Sequence, residues 1–189
     1  MPVTPPDGRV SEWFKETVLK TVEPKGSVGS NPTPSAIKER LIVKFSNFEK
    51  KMFLAARAEA EKSTFDRFNL GCVITYKGHV IGRGFNSDKS HPMQKKYNNR
   101  YRNFNIGDGQ CINHALHAEM AAINSIPYTI GIQIDWSKVK VFVYRISAGK
   151  PFGYGMARPC PACMNAIRDL GIRRIYYTDD DGYSYLELN

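Results

Sequence analysis

The stretch IRRIYYTDDDGYSYLEL, residues 172–188, decides how the sheet of this chain ends. IRRIYYT (172–178) and YSYLEL (183–188) are rich in Ile, Tyr and Leu and read as strands. Between them stand only Asp179, Asp180, Asp181 and Gly182, a turn in both chemistry and length. A parallel partner would need a crossover of about a dozen residues or more, usually a helix. Four residues cannot supply it. The last two strands therefore form an antiparallel hairpin, with no late helix.

Upstream, ACMNAIRDL (162–170) reads as a helix stopped by Gly171. KVKVFVYRI (138–146) alternates Val139, Val141 and Val143 with Lys140 and Phe142, a strand buried mostly on both faces. CINHALHAEM (111–120) opens a helix reaching about Asn124, with His114 and His117 one helical turn apart. NLGCVITY (69–76) and HVIGRGF (79–85) are strands joined by Lys77-Gly78, a two-residue hairpin signal, and residues 86–113 form a long loop. NFEKKMFLAARAEAEK (47–62) carries Met52, Phe53, Ala56 and Ala60 at helical spacing. The order α, β, β, α, β, α, β, β describes a mixed five-stranded sheet covered by helices, without internal repeats.

At 189 residues the chain has room for one domain with a real core. Its 42% hydrophobic and 24% charged residues are those of a globular protein, and no apolar run approaches the roughly 18–20 residues of a membrane span. MPVTPPDGR, residues 1–9, has no apolar signal-peptide core, and a cytoplasmic location is expected. The net charge is +9, and residues 1–35 are balanced by four charges of each sign. The excess sits in the remainder and favours anionic partners, nucleotides and nucleic acids alike. A homo-oligomer stays open.

Of four cysteines, Cys160 and Cys163 form Pro159-Cys160-Pro161-Ala162-Cys163 at a helix start. Cys-x-x-Cys in a reducing compartment points to a metal or redox site rather than a disulfide. The positive helix end favours thiolate, the form that binds metal. Two thiolates and one imidazole make three protein ligands and leave tetrahedral zinc an open position.

His117-Ala118-Glu119 followed by Pro-Cys-x-x-Cys resembles the signature of the zinc-dependent cytidine and deoxycytidylate deaminases. The resemblance covers about residues 47–188 and implies a three-layer α-β-α cytidine deaminase-like fold. It implies one Zn²⁺ per chain on His117, Cys160 and Cys163, which would acidify a water molecule. Glu119 would shuttle its proton to the ring nitrogen and the departing ammonia, turning cytosine into uracil. Asn86, closing the second strand, looks like the family's substrate-contacting asparagine, able to donate and accept, and Ala118 would also touch substrate.

The competing readings are a four-ligand structural zinc completed by His114, Cys111 or Cys72, and a dithiol redox motif. The first leaves Glu119 unexplained and the second lacks a thioredoxin-like βαβ pattern. Cys72, within a strand, reads as a small buried hydrophobe, and nothing fixes a spacing between His91 and Cys111. His114 is expected at the pocket rim, in a capping or packing role.

In the loop after Asn86, Lys89, Lys95, Lys96, Arg100 and Arg102 interleave with Tyr97, Tyr101 and Phe104. Such a pattern can hold phosphates and stack on bases, or it can be a solvated loop with docked aromatics. The expected substrate is cytidine, deoxycytidine or deoxycytidylate, tilted by the basic loop toward the phosphorylated form. Deamination of cytosine or adenine within single-stranded DNA or RNA is the runner-up, and a non-catalytic nucleotide-binding zinc module the third reading. By resemblance, antiparallel last strands include the free-nucleoside enzymes. Deoxycytidylate and polynucleotide groups more often end in a parallel strand.

Residues 1–36 read as an extension outside the domain at 37–189, either disordered or a gene-start artefact. SEWFKETVLKTV (11–22) could make a short amphipathic helix, and PKGSVGSNPTPS (24–35) is linker-like. Residues 9–36 also resemble a translated bacterial serine transfer-RNA gene. Gly29-Ser30-Asn31-Pro32 can be encoded GGT-TCG-AAT-CCC, which holds a T-arm sequence. Thr17–Val22 can be encoded as a self-pairing stem around a TGA anticodon. Deleting residues 1–36 should leave catalytic activity intact, and the encoding DNA should spell the stem at 17–22. Other codons there would remove the transfer-RNA reading.

Overall fold

The computed structural model describes residues 18–19, 42–65, 68–102, 114–147 and 155–188, with backbone alone for 18–19 and 42–43. In chain order the elements are β1 (Val18–Leu19), β2 (Ile42–Val43), α1 (Asn47–Ala60), β3 (Asn69–Tyr76), β4 (His79–Phe85) and β5 (Ser87–Ser90). They continue with α2 (Pro92–Tyr101), β6 (Ala115–Leu116), α3 (Ala118–Asn124), α4 (Tyr128–Gly131) and β7 (Val139–Ile146). The chain closes with α5 (Pro161–Asp169), β8 (Arg174–Asp179) and β9 (Gly182–Glu187). The main sheet runs β4-β3-β7-β8-β9, and β7–β8 is its parallel pair. β8 and β9 form the expected hairpin, register Arg174↔Glu187 to Asp179↔Gly182, closed as Asp179 accepts the Asp181 N–H at 2.9 Å.

Alternation along the strands separates two faces. Val73, Phe142 and Tyr176 face α1, meeting Phe53 and Ala56. Phe53 is fully buried, stacked on Tyr183 at 4.2 Å and edge-on to Phe142 at 5.7 Å, a burial worth about 2–3 kcal/mol. Cys72, Ile74, Val141 and Val143 face α3 and α5, meeting Ala118, Ala122, Met164 and Ile167. The layers are α1, the sheet, then α3 with α5.

α1 begins in a capping box: Ser46 Oγ accepts the Glu49 N–H at 3.2 Å, and the Glu49 carboxylate accepts the Ser46 N–H at 3.0 Å. Lys77 and Gly78 both take positive φ, 48° and 84°, as a tight hairpin between β3 and β4 requires. The described N-terminal residues Val18 and Leu19 pair antiparallel with Val43 and Ile42, a strand where SEWFKETVLKTV suggested helix. The remainder of residues 1–36 lies outside the described residues.

Two sequence expectations need correction. The long loop after Asn86 contains β5 and α2, so Lys89 lies on a strand while Lys95, Lys96 and Arg100 lie on a helix. The helix expected from residue 111 starts only at Ala118, because Ala115–Leu116 is a strand paired with β5. His114 and His117 therefore do not share a helical turn. Among the described residues no helix is long and apolar enough to cross a membrane.

α3 lies unusually close to β4. A Cβ on Gly84 would sit 2.3 Å from the Ala122 nitrogen and 2.7 Å from the Ala121 carbonyl carbon, and helix backbone cannot yield locally. Gly84→Ala should push α3 off the sheet, costing roughly 1–3 kcal/mol in a denaturant melt. Zinc retention should fall with it, since α3 carries the histidine at its start.

Candidate metal centre and its cavity

Two helix N-termini build the centre. His117 is the N-cap of α3 in extended conformation (φ −83°, ψ 152°), and its side chain makes no capping bond. Cys160 is the N-cap of α5, likewise without a side-chain cap, and Cys163 follows in the first turn. The His117 Nδ1 lies 3.5 Å from Cys160 Sγ and 3.4 Å from Cys163 Sγ. All three donor atoms fall within 4.8 Å of one another. A tetrahedral zinc with ordinary Zn–S and Zn–N bonds would place nitrogen and sulfur about 3.6 Å apart. The donors fit zinc in number, chemistry and spacing.

Electrostatics set the three donors apart from one another. The hydrogen bond from Cys163, against the opposing effect of burial and with His117 adjacent, lowers the Cys160 pKa to about 4. Burial drives the Cys163 thiol well above its ordinary value. For His117, burial works against the charged ring, yet the bond to Cys160 and the nearby Glu119 carboxylate leave its pKa raised. Glu119, 3% exposed in the first turn of α3, is raised chiefly by burial, with His117 pulling the other way.

A cavity of about 270 Å³ opens above these residues, lined by Phe65, Phe68, Leu70, Asn86, Arg102, Ala115, Leu116, His117, Ala118, Glu119, Arg158 and Cys160. Asn86 and Ala118 line it as expected, but Asn86 has a narrower repertoire than the sequence suggests. Its Oδ1 accepts from the Leu70 N–H and from Ser63 Oγ, both at 2.7 Å, and its Nδ2 donates to the Phe68 carbonyl at 2.9 Å. With both oxygen lone pairs used, it can offer a ligand one amide N–H.

Of the five basic residues singled out, Arg102 alone lines the cavity. Lys89, Lys95, Lys96 and Arg100 are exposed outside it. Lys96 and Arg100 lie over the rings of Tyr97 and Tyr101 at 5.9 and 5.3 Å, and Tyr97 donates its hydroxyl to Asp169 at 2.8 Å. Those aromatics are docked on the protein, as in the solvated-loop reading. Phe104 and Cys111 lie outside the described residues.

Arg158 was missed by the sequence reading, although it stands two residues before Cys160 and the flank of the motif was there to inspect. Phe65 and Phe68 were missed as well. Their rings lie 5.2 Å apart, and the Arg145 guanidinium sits 4.9 Å from the Phe68 centroid. Cys72 is buried in β3 with its thiol pKa pushed up by burial. His91 caps α2, its Nδ1 accepting the Met93 N–H at 3.3 Å. Neither joins the metal group, nor does His114, so a four-ligand site has no fourth protein donor among the described residues.

The family described as the cytidine and deoxycytidylate deaminase zinc-binding region matches residues 46–179. No curated protein matches the chain by sequence. Among solved structures, the apo dCMP deaminase of cyanophage S-TIM5 is 17% identical, with 72% of this chain and 86% of that one covered and a TM-score of 0.45. A cytidine deaminase from Burkholderia pseudomallei is 18% identical, with 73% and 91% covered and a TM-score of 0.46.

Purified chain should carry one zinc per molecule by elemental analysis. Cys160→Ala and His117→Ala should each lose it on dialysis, whereas Cys72→Ala should retain it.

Proposed function

This chain belongs to the cytidine and deoxycytidylate deaminase zinc-binding family, and on that premise we propose that it hydrolytically deaminates a cytosine nucleoside monophosphate. The observation that carries the reading is a buried Glu119 lining the same cavity as His117 and Cys160, two of the three clustered donors, with Arg102 and Arg158 lining it as well. Zinc held by the three donors supplies Lewis acidity that makes water a competent nucleophile near neutral pH.

The remaining work falls to the chain's own residues. Glu119, its affinity for protons raised by burial, accepts the proton lost from the attacking water. It delivers that proton to N3 of the cytosine ring, then takes the remaining proton from the new C4 hydroxyl and passes it to the departing amino group, so that C4 keeps the oxygen and loses ammonia. Asn86 offers its remaining amide N–H to the sugar or base edge. Phe65 and Phe68 give the ring an apolar wall that limits water, and Arg102 and Arg158 meet the phosphate.

Deamination within a single strand is the second reading, supported by the exposed cations Lys95, Lys96 and Arg100 on α2, the helix immediately before Arg102. Against it, Tyr97 is bonded to Asp169 and stacked with Tyr101 on the protein itself.

Uracil formation should be followed for zinc-loaded protein with cytidine, deoxycytidylate and a cytosine-containing single strand. Deoxycytidylate should be the best substrate. Arg158→Ala and Arg102→Ala should raise its KM about tenfold each while barely altering turnover of deoxycytidine. Preference for the strand, with steep salt dependence, would transfer the assignment to the second reading. Glu119→Gln should keep its zinc and lose about 10²–10⁴-fold in kcat. An active Glu119→Gln would remove the proton shuttle, and conversion of no substrate would favour a nucleotide-binding module.

A further inference from the structure

α2 has an inward face made of amides. Gln94 and Asn98, one turn apart, are both fully buried, at 0% exposure. Burying two primary amides costs stability unless every donor and acceptor finds a partner. Here the partners form a directed chain. Gln94 Oε1 accepts the backbone N–H of His117 at 3.1 Å. Gln94 Nε2 donates to Asn98 Oδ1 at 2.9 Å. Asn98 Nδ2 lies 3.3 Å from His114 Nδ1. Because Asn98 spends its oxygen on Gln94, its nitrogen is the donor and His114 Nδ1 the acceptor. His114 thus belongs to a relay that begins at the backbone N–H of His117.

The same helix reaches the other half of the centre. The Tyr97 hydroxyl donates to Asp169 at the end of α5, and Met93, Tyr97 and Leu116 pack with Cys163 and Met120. α2 therefore touches both ligand-bearing elements, His117 through the Gln94 hydrogen bond and α5 through Tyr97.

We infer that α2 is a clamp across the metal centre and that Gln94 and Asn98 are positioning residues that hold His117 in its ligating place. The inference rests on the zinc reading of the site. Interactions that orient metal ligands from outside the coordination sphere typically alter metal affinity by about 10–100-fold when removed. Two fully buried amides are suited to that work, because solvent does not compete for the bond between them.

The test is zinc competition against a chromophoric chelator on the full chain, with thermal melts of the zinc-free and zinc-loaded forms. Gln94→Met preserves side-chain length and removes the amide. It should weaken zinc binding about 10–100-fold and shrink the zinc-induced rise in melting temperature. Asn98→Leu should shift both in the same direction by a smaller amount. Phe53→Leu, in the core between α1 and the sheet, should lower both melting temperatures and leave zinc affinity as in wild type.

Wild-type affinity in Gln94→Met, or an equal loss in Phe53→Leu, would overturn the clamp. If Gln94→Met does not fold, Tyr97→Phe decides: a few-fold weaker zinc binding supports the clamp, and unchanged binding overturns it. Failure of the wild type itself to bind zinc would remove the metal reading and this inference together. Normal zinc binding in both wild type and Gln94→Met would remove this inference alone.

Discussion

The site depends on two helix N-termini meeting closely enough for one imidazole to touch two thiols. His117 and Cys160 cap different helices and lie 43 residues apart in sequence, yet Nδ1 and Sγ are separated by 3.5 Å. The sheet makes this possible. β7 and β8 run parallel, so the chain between them must cross over one face, and α5 is that crossover. α3 occupies the same face and can approach because Gly84 on β4 has no Cβ. Both helices begin at the donors, with His117 and Cys160 at their N-cap positions.

Burial then sets the chemistry. Cys163 is fully buried, Glu119 nearly so, and both are pushed toward their protonated forms by loss of solvent. Several potential anions crowd one imidazole, so a divalent cation answers the charge the site collects. Glu119 stands beside the donor group without belonging to it. It remains a carboxyl that can take up and return a proton.

The legible parts of the sequence were those with a simple period or a short motif. α1, β3, β4, β7, α5 and the terminal hairpin could all be read because their apolar residues repeat at 3.6 or 2. α2 could not. PMQKKYNNRY fully buries only Gln94 and Asn98, and its apolar residues Met93, Tyr97 and Tyr101 are interleaved with Lys and Arg, so the stretch reads as a basic polar loop. β6 was hidden for the opposite reason: the three-residue spacing of His114 and His117 mimics a helical turn, while Ala115 and Leu116 pair with a strand. Asn86 was found at its position, but its bonds to Ser63, Leu70 and Phe68 could not be seen from any local spacing.

From the residues alone came the donor set, the carboxyl beside it and the antiparallel end of the sheet. Each follows from local chemistry: thiols one turn apart, Glu119 two residues from His117, and a turn too short for a crossover. The tertiary structure brought His117 against the two thiols and tied His114 to Asn98. It also decided that Arg102 and Arg158 line the cavity while Lys89, Lys95, Lys96 and Arg100 stay outside. Those distinctions depend on which elements pack together, and sequence distance carries no record of it: Gln94 is 23 residues from His117 and accepts its backbone N–H.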